Sequence, residues 1–275
     1  NLISTAGIAD RRFADHSGDI QHGYQLGSLT EGLVAYYPME KGQGQVLHDG
    51  ATNLLAQISG ASWNGSGQVG TNSLSFNGSS NTVTAGEALS VDRDEFAVSV
   101  FARFRNFESS SDNTLISQYG GVDSNQFYLI YQDVSNSSLR FAVKESDGTF
   151  IDANYADSNL SLDTWHHICG TVSDGTLYLY VDGEQVDSAS WDTTVSGNDN
   201  LTIGARSDGL RNHEGSIDDA RVYSRPLSQP EIEALYNLGQ PSGFLVEEQD
   251  VPSIDDSGAC RWCLWAGEGL RGRQQ

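Results

Sequence analysis

Three groups of side chains in this chain are of types that do chemistry. His166 and His167 stand side by side after Trp165 in "DTWHHICGTV", and imidazoles are frequent metal ligands and general bases. Asp218 and Asp219 form a carboxylate pair in "GSIDDARVY", the chemistry that holds calcium or flanks a glycosidic bond. Cys260 and Cys263 make a C-x-x-C near the C-terminus. What each group can do depends on the backbone that carries it.

Between Trp165 and the Asp174-Gly175 turn the pattern demands an extended chain, so neighbouring side chains point to opposite faces. The two histidines therefore cannot share one metal or act on one atom; they read as strand positions, with Trp165 as a packing anchor. By the same pleat Asp218 and Asp219 face opposite sides. Asp218 takes the parity of Ala220 and Val222, which turns its carboxylate inward, where it needs amide donors or a metal. The C-x-x-C has no second pair and no nearby histidines, so a zinc site is not expected, and a disulfide or two free thiols both fit. Cys169, inside an apolar run, reads as a small buried residue. No Ser/His/Asp arrangement, P-loop or HExxH is present.

The elements that carry these groups are β-strands. "TNSLSFNGSS", "EFAVSVFARF", "QFYLIYQ", "LRFAVKE", "WHHICGTV", "TLYLYV" and "NLTIGA" are short β patterns separated by turn residues. Asp147-Gly148, Asp174-Gly175 and Asp182-Gly183 lie between β-branched or aromatic runs and favour tight hairpins. The last two predict a three-strand meander. One helix is expected in "PLSQPEIEALYNLG", where Ser228 and Glu231 form a capping box, Leu227 and Ile232 a staple, and Gly239 the stop. Residues 31–239 thus read as one all-β domain closed by a short helix. Residues 1–30 read as an N-terminal arm and 240–275 as an acidic linker and tail.

The 37 acidic residues outnumber the 15 basic ones and give a net charge of −22. No basic stripe exists to neutralise phosphates, which argues against nucleic acid as a partner. Only Lys41 and Lys144 are lysines, and an acidic, lysine-poor surface suits a salt-adapted organism: at about 1 M salt the Debye length is about 3 Å and self-repulsion is screened. No stretch approaches the roughly 18 apolar residues of a membrane span. The polar start at Asn1 leads us to expect a processed, mature product. Sequons at Asn64, Asn77, Asn136, Asn159 and Asn200 are compatible with a secreted glycoprotein.

The blocks "GLVAYYPMEKGQG", "NSLSFNGSSNTVTAG", "FAVSVFARF", "DTWHHICGTVSDGTLYLYVDGEQV", "LTIGARSDG" and "EGSIDDARVYSRPLSQPEIEALY" occur in an order that resembles LamG-like domains of the concanavalin A-like lectin/glucanase superfamily. The resemblance implies a jelly-roll sandwich of two antiparallel sheets, with the helix at its usual place. Hydrolases of that superfamily carry Glu-x-Asp-x-x-Glu on one strand face, and this chain has no such motif, so it is not expected to be an enzyme. Relatives often bind a structural calcium, which maps here onto Asp218 and the carbonyls of Met39 and Gly78. The pattern departs at Glu40-Lys41, where relatives carry Asp-Glu. A metal-free Asp218 satisfied by backbone N–H groups is the alternative.

The resemblance implies glycan binding through loops at the sandwich edge or through the concave face, where a flat aromatic combines with Asp, Asn and Gly loops. Candidates are Tyr119, Asp123 and Asn125; Tyr155 with Asp152, Asn154 and Asp157; and Asp208, Arg211 and His213. We therefore expect a non-catalytic, extracellular carbohydrate-binding or adhesion module with possible structural Ca2+. The alternative is a subunit of a filament, sheath or virion that self-assembles through residues 1–30 and 240–275.

Overall fold

The computed structural model describes residues 29–85, 95–107, 112–118, 128–133, 135–144, 149–191 and 200–240, with the backbone alone for 128–132. The two expected arms, with Cys260 and Cys263, lie almost wholly outside the described residues. Sixteen strands and one α-helix follow in chain order among the described residues. The strands are β1 (Leu33–Tyr37), β2 (Val46–His48), β3 (Leu55–Ser59), β4 (Ser62–Asn64), β5 (Ser73–Asn77), β6 (Thr82–Ala85), β7 (Phe96–Phe104) and β8 (Asn113–Gln118). Then come β9 (Tyr128–Asp133), β10 (Ser138–Lys144), β11 (Phe150–Ala156), β12 (Trp165–Ser173), β13 (Thr176–Val181), β14 (Glu184–Ser190), β15 (Leu201–Ile203) and β16 (Glu214–Tyr223). The helix, α1, spans Gln229–Leu238.

All pairings between these strands are antiparallel, in two sheets. One runs β14-β13-β12-β7-β16-β5-β4, with β1 also on β16; the other runs β11-β10-β9-β8-β15-β6-β3-β2. This is the jelly-roll sandwich expected of the sequence. The hairpins form where Asp-Gly stands: Asp174-Gly175 (φ 49° and 69°) and Asp182-Gly183 (φ 52° and 85°) are both left-handed at both positions, as the turn matching strand twist requires. Asp147-Gly148 lies outside the described residues.

Alternate residues of the two sheets meet in one core. Phe96, Val98, Val100, Ala102 and Phe104 of β7 face Leu139, Phe141 and Val143 of β10 across the sandwich. Each of the fully buried valine, leucine and phenylalanine side chains stabilises the fold by about 1.5–3 kcal/mol. The other face of the first sheet is roofed. Ala97, Cys169, Tyr180 and Tyr223 pack with Leu227, Ile232 and Leu235, so α1 covers the outer side of β7, β12, β13 and β16. That roof explains why β7 and β12 are buried on nearly every residue rather than every second one. Cys169 is fully buried, and burial raises its thiol pKa, so it serves packing.

The helix start follows the predicted capping box. The Glu231 carboxylate accepts the Ser228 backbone N–H at 2.9 Å and the Ser228 hydroxyl at 2.8 Å, while Arg225 donates to it at 2.6 Å and 3.0 Å. Burial pushes this carboxyl up, but those donors outweigh it and bring it down to about 2. The stop works differently from a left-handed cap: Gly239 has φ −86°. Glycine is needed there because a Cβ would stand 2.7 Å from the Phe101 ring and 2.8 Å from Gln68.

One irregularity corrects the parity assigned to Asp218. The β16–β7 register slips between Asp218 and Arg221, leaving Asp219 left-handed at φ 47°. Such a bulge sets two residues against one and resets the alternation. Ile217, Ala220 and Val222 therefore lie in the inter-sheet core, whereas Asp218 pairs with Phe101 on the roofed face. Asp219 is swung to the Arg221 side rather than opposite Asp218; both carboxylates are buried.

Candidate functional site

The register gathers one set of strand ends. Asn113 opposes Gln132, and Ser138 opposes both Asp133 and Ala156, so β8 begins where β9 and β11 end. The loop from Gly204 to Asn212 joins them, anchored by Gly204 N–H to the Leu115 carbonyl (2.9 Å) and Thr114 N–H to the Arg211 carbonyl (3.0 Å). Arg211 adds an ion pair to Asp112. Gly204 sits at φ +81° against Phe76, a place that only a residue without Cβ can take.

Inside the loop, Arg206 N–H donates to the Leu210 carbonyl (3.0 Å) and Gly209 N–H to the Arg206 carbonyl (2.9 Å). The Asp208 carboxylate takes the Leu210 amide at 3.1 Å and pairs with the Arg206 guanidinium. Burial raises this carboxyl, but the Arg206 hydrogen bond outweighs it and holds Asp208 below its ordinary value. The tip, Ser207 to Leu210, is exposed, with Leu210 57% accessible. A polar, self-closed loop with an apolar tip is thus held in one shape on a rigid sheet, the arrangement that lowers the ordering cost of binding.

Beside it, the Asp133 carboxylate closes the next turn, accepting the Ser135 amide (2.9 Å), its hydroxyl (2.6 Å) and the Asn136 side-chain amide (2.8 Å). Arg140 pairs with Asp133 at 3.2 Å and with Asp152 at 2.6 Å.

The structure brings together some of the expected contacts and separates others. Asp208 and Arg211 share the loop described above. Tyr155 stands in β11 opposite Leu139, half-buried against the core, rather than in a loop. His213 is corrected more strongly: it is fully buried between the rings of Phe76 (6.1 Å) and Phe104 (5.5 Å) and is a core residue, not a loop contact. Burial pushes it down to about 4, so it is neutral at neutral pH. Tyr119, Asp123 and Asn125 lie outside the described residues. Sequence reasoning missed Arg206 and Asp112. The R-x-D-G spacing of Arg206, Asp208 and Gly209 carried a local signal; Asp112 carried none, because its partner is distant in sequence.

The histidine pair separates as the pleat requires. The His166 Nδ1 meets Asp182 at 2.8 Å and its Nε2 accepts the Ser161 amide at 3.1 Å. His167 is fully buried against Phe101, with its Nε2 2.8 Å from the Ser99 hydroxyl.

The three expected calcium ligands are not gathered at one point. The Asp218 carboxylate already accepts three amides: Gln68 at 2.8 Å, Val69 at 2.9 Å and Asp219 at 2.8 Å. Gly78 bonds His213 and packs on Glu214, at the far end of β16, four residues or about 13 Å along the strand. Met39 follows β1 on the Asp218 side of the Tyr37–Ala220 pair, so of the three expected ligands only Met39 and the amide-bonded Asp218 fall at one end of the sheet. Among the described residues no group of three His, Cys, Asp or Glu side chains is placed to hold a metal.

Residues 77–233, more than half the chain, match a laminin G profile described as belonging to the concanavalin A-like lectin/glucanases superfamily. Paraclostridial mosquitocidal protein 1 of Paraclostridium bifermentans is 26% identical over 156 residues, 52% of this chain and 12% of that protein. Its binding domain superposes with a TM-score of 0.59 at 20% identity, over 76% of this chain and 52% of that one. The adhesion G-protein coupled receptor V1 of Danio rerio is 25% identical over 138 residues, 46% of this chain and 2% of the receptor. The ligand binding domain of botulinum neurotoxin serotype D, solved with N-acetylneuraminic acid, gives a TM-score of 0.61 at 16% identity, over 84% and 54% of the two chains. This chain thus spans a small part of the curated relatives and about half of the solved chains. The sandwich, its order of strands and its matched blocks agree: the chain belongs to the concanavalin A-like lectin/glucanases superfamily.

Proposed function

We propose that this domain is a non-catalytic recognition module that binds glycans of a cell surface or polymer outside the cell. The observation that carries the reading is the Gly204–Asn212 loop, closed on itself by Arg206 and Asp208 and fastened to β8 by Arg211 and Asp112, with its polar and apolar tip exposed. Sugars are recognised by such pre-shaped polar loops flanked by apolar surface. The relatives named for adhesion, binding domains and a bound N-acetylneuraminic acid support the same class of task.

Recognition rather than bond-breaking is favoured by how the carboxylates are used. Asp133, Asp208, Asp218, Asp219 and Glu231 are each engaged by arginines or backbone amides, not aimed in pairs across an open cleft. No helix among the described residues is long and apolar enough to cross a membrane. The net charge of −22 supports work in concentrated salt. Glycan-array binding by the full chain, lost when Asp208 and Arg211 are both changed to Ala, is the expected result. Release of sugars from any polysaccharide would overturn the non-catalytic reading, and full stability in dilute buffer would overturn the salt adaptation.

A further inference from the structure

Five arginines among the described residues are neutralised by carboxylates: Arg140, Arg206, Arg211, Arg221 and Arg225. Two are not. Arg103 and Arg105 have no ion-pair partner among the described residues, although acidic residues outnumber basic ones 37 to 15 in the chain. In so acidic a protein, uncompensated guanidiniums are what needs explaining. They stand two residues apart at one end of β7, where the Arg105 amide still donates to the Glu214 carbonyl at 3.0 Å.

Arg103 lies in a row that crosses the outer face of the first sheet. Trp165 pairs with Arg103, Arg103 with Ser216, Ser216 with Ser75, and Ser75 with Ser62, each directly across from the next. Directly opposed residues point to the same face, so five strands contribute one side chain each to a strip about 19 Å long. The strip lies off the roofed part of the sheet: the next row inward holds Phe101 and Asp218, under Gln68 and Gly239. Trp165, Arg103 and Ser75 are half-buried and Ser62 is exposed, whereas Ser216 is buried and serves as the hydrogen-bond partner of Arg103 and Ser75.

The guanidinium of Arg103 is already oriented. It lies over the Trp165 ring at 5.3 Å and donates to the Ser216 hydroxyl at 3.2 Å, which fixes its plane without cancelling its charge. The acidic groups bordering it are Glu214, one row outward, and Asp163, whose amide donates to the Phe104 carbonyl; neither forms an ion pair with Arg103 or Arg105. The net charge repels anions at long range, so a local, planar, paired donor is required for a carboxylate to bind here at all.

We propose that this strip is a binding site for a carboxylate-bearing oligosaccharide, with Arg103 and Arg105 gripping the acid group, Trp165 flanking a sugar ring, Ser75 and Ser62 taking hydroxyls, and the buried Ser216 positioning Arg103. Its length suits a chain of several sugars rather than one. The proposal rests on the glycan-binding reading above, but uses a face of the sheet distinct from the Gly204–Asn212 loop tip.

The test is titration calorimetry of the full chain with a uronate hexasaccharide, sialyllactose, a sulfated heparin hexasaccharide and neutral cellohexaose, for wild type, Arg103→Gln, Arg105→Gln and Arg103→Lys. The carboxylated ligands should bind. Either Gln variant should weaken them about ten- to hundredfold, with Arg103→Lys recovering only part because the fork is lost. Arg105 is exposed, so its variant reports on binding even if Arg103→Gln lowers stability. Carboxylate binding unchanged in both Gln variants would overturn this site while leaving the module reading intact. Tighter binding of the sulfated chain would overturn the carboxylate assignment, and binding confined to cellohexaose would overturn the strip as an acid-sugar site. No binding to these ligands or to a broad array would sink both readings together.

Discussion

The carboxylate of Asp218 and the backbone amide of Gln68 are 2.8 Å apart, although 150 residues of chain separate them. Val69 and Asp219 give the same carboxylate two further amides, so a buried acid in β16 ties the β4–β5 loop to the floor beneath α1. Burial and the neighbouring Asp219 push its carboxyl up to about 8, against the pull of the three amides.

A folded value above the ordinary 3.8 means that Asp218 contributes stability fully present at low pH and lost as pH rises toward and through about 8. Asp218→Asn should therefore flatten the fall in Tm between about pH 4 and pH 8. Asp218→Ala, which strands three amides, should cost about 3 kcal/mol. Because the amides occupy the carboxylate, Tm should be the same in EDTA and in millimolar calcium. A calcium-dependent rise that Asp218→Asn abolishes would show a cation at this point.

His167 and His213 are both driven to about 4, by burial first. Their folded values lie below the ordinary 6.5, so the stability linked to them is present above that pH and lost as pH falls toward 4. Replacing His213 with Phe, between Phe76 and Phe104, should move the acid-unfolding midpoint to lower pH as followed by circular dichroism. An unmoved midpoint would contradict a neutral, buried His213.

Glu231 behaves in the opposite sense to Asp218. Its folded value of about 2 is below the ordinary 4.5, so its contribution stands above pH 4.5 and is lost as pH falls toward 2. Glu231→Gln should cost about 1 kcal/mol at neutral pH, the worth of a helix cap, and almost nothing near pH 2. Equal losses at both pH values would count against the Arg225–Glu231–Ser228 cluster.

At Gly204 an alanine Cβ would lie 2.1 Å from the Phe76 ring at a backbone φ of +81°. Gly204→Ala should therefore cost about 1–3 kcal/mol and displace the 204–212 loop. Thermal unfolding measures the first effect, and reduced glycan binding the second. A variant as stable as the parent would mean that the loop root is not packed as described.

Much of this architecture was legible locally. Asp174-Gly175 and Asp182-Gly183 announce their own hairpins, since left-handed backbone at both turn positions is a property of those residues. Ser228 and Glu231 announce the helix start in the same way, because cap and carboxylate lie within one turn. The separation of His166 from His167 needed only the pleat.

What the sequence could not decide depends on which strands lie side by side. The slip at Asp219 puts Asp218 on the roofed face, and a one-residue irregularity leaves no mark in an alternating pattern. His213 reads as a loop residue until β16 is seen to start beneath Phe76 and Phe104. The row of Trp165, Arg103, Ser216, Ser75 and Ser62 exists only because strands far apart in the chain become neighbours in the order β12-β7-β16-β5-β4. Local residues chose strand, turn and cap by their own conformational preferences; long-range hydrogen-bond register alone chose which side chains would share a face.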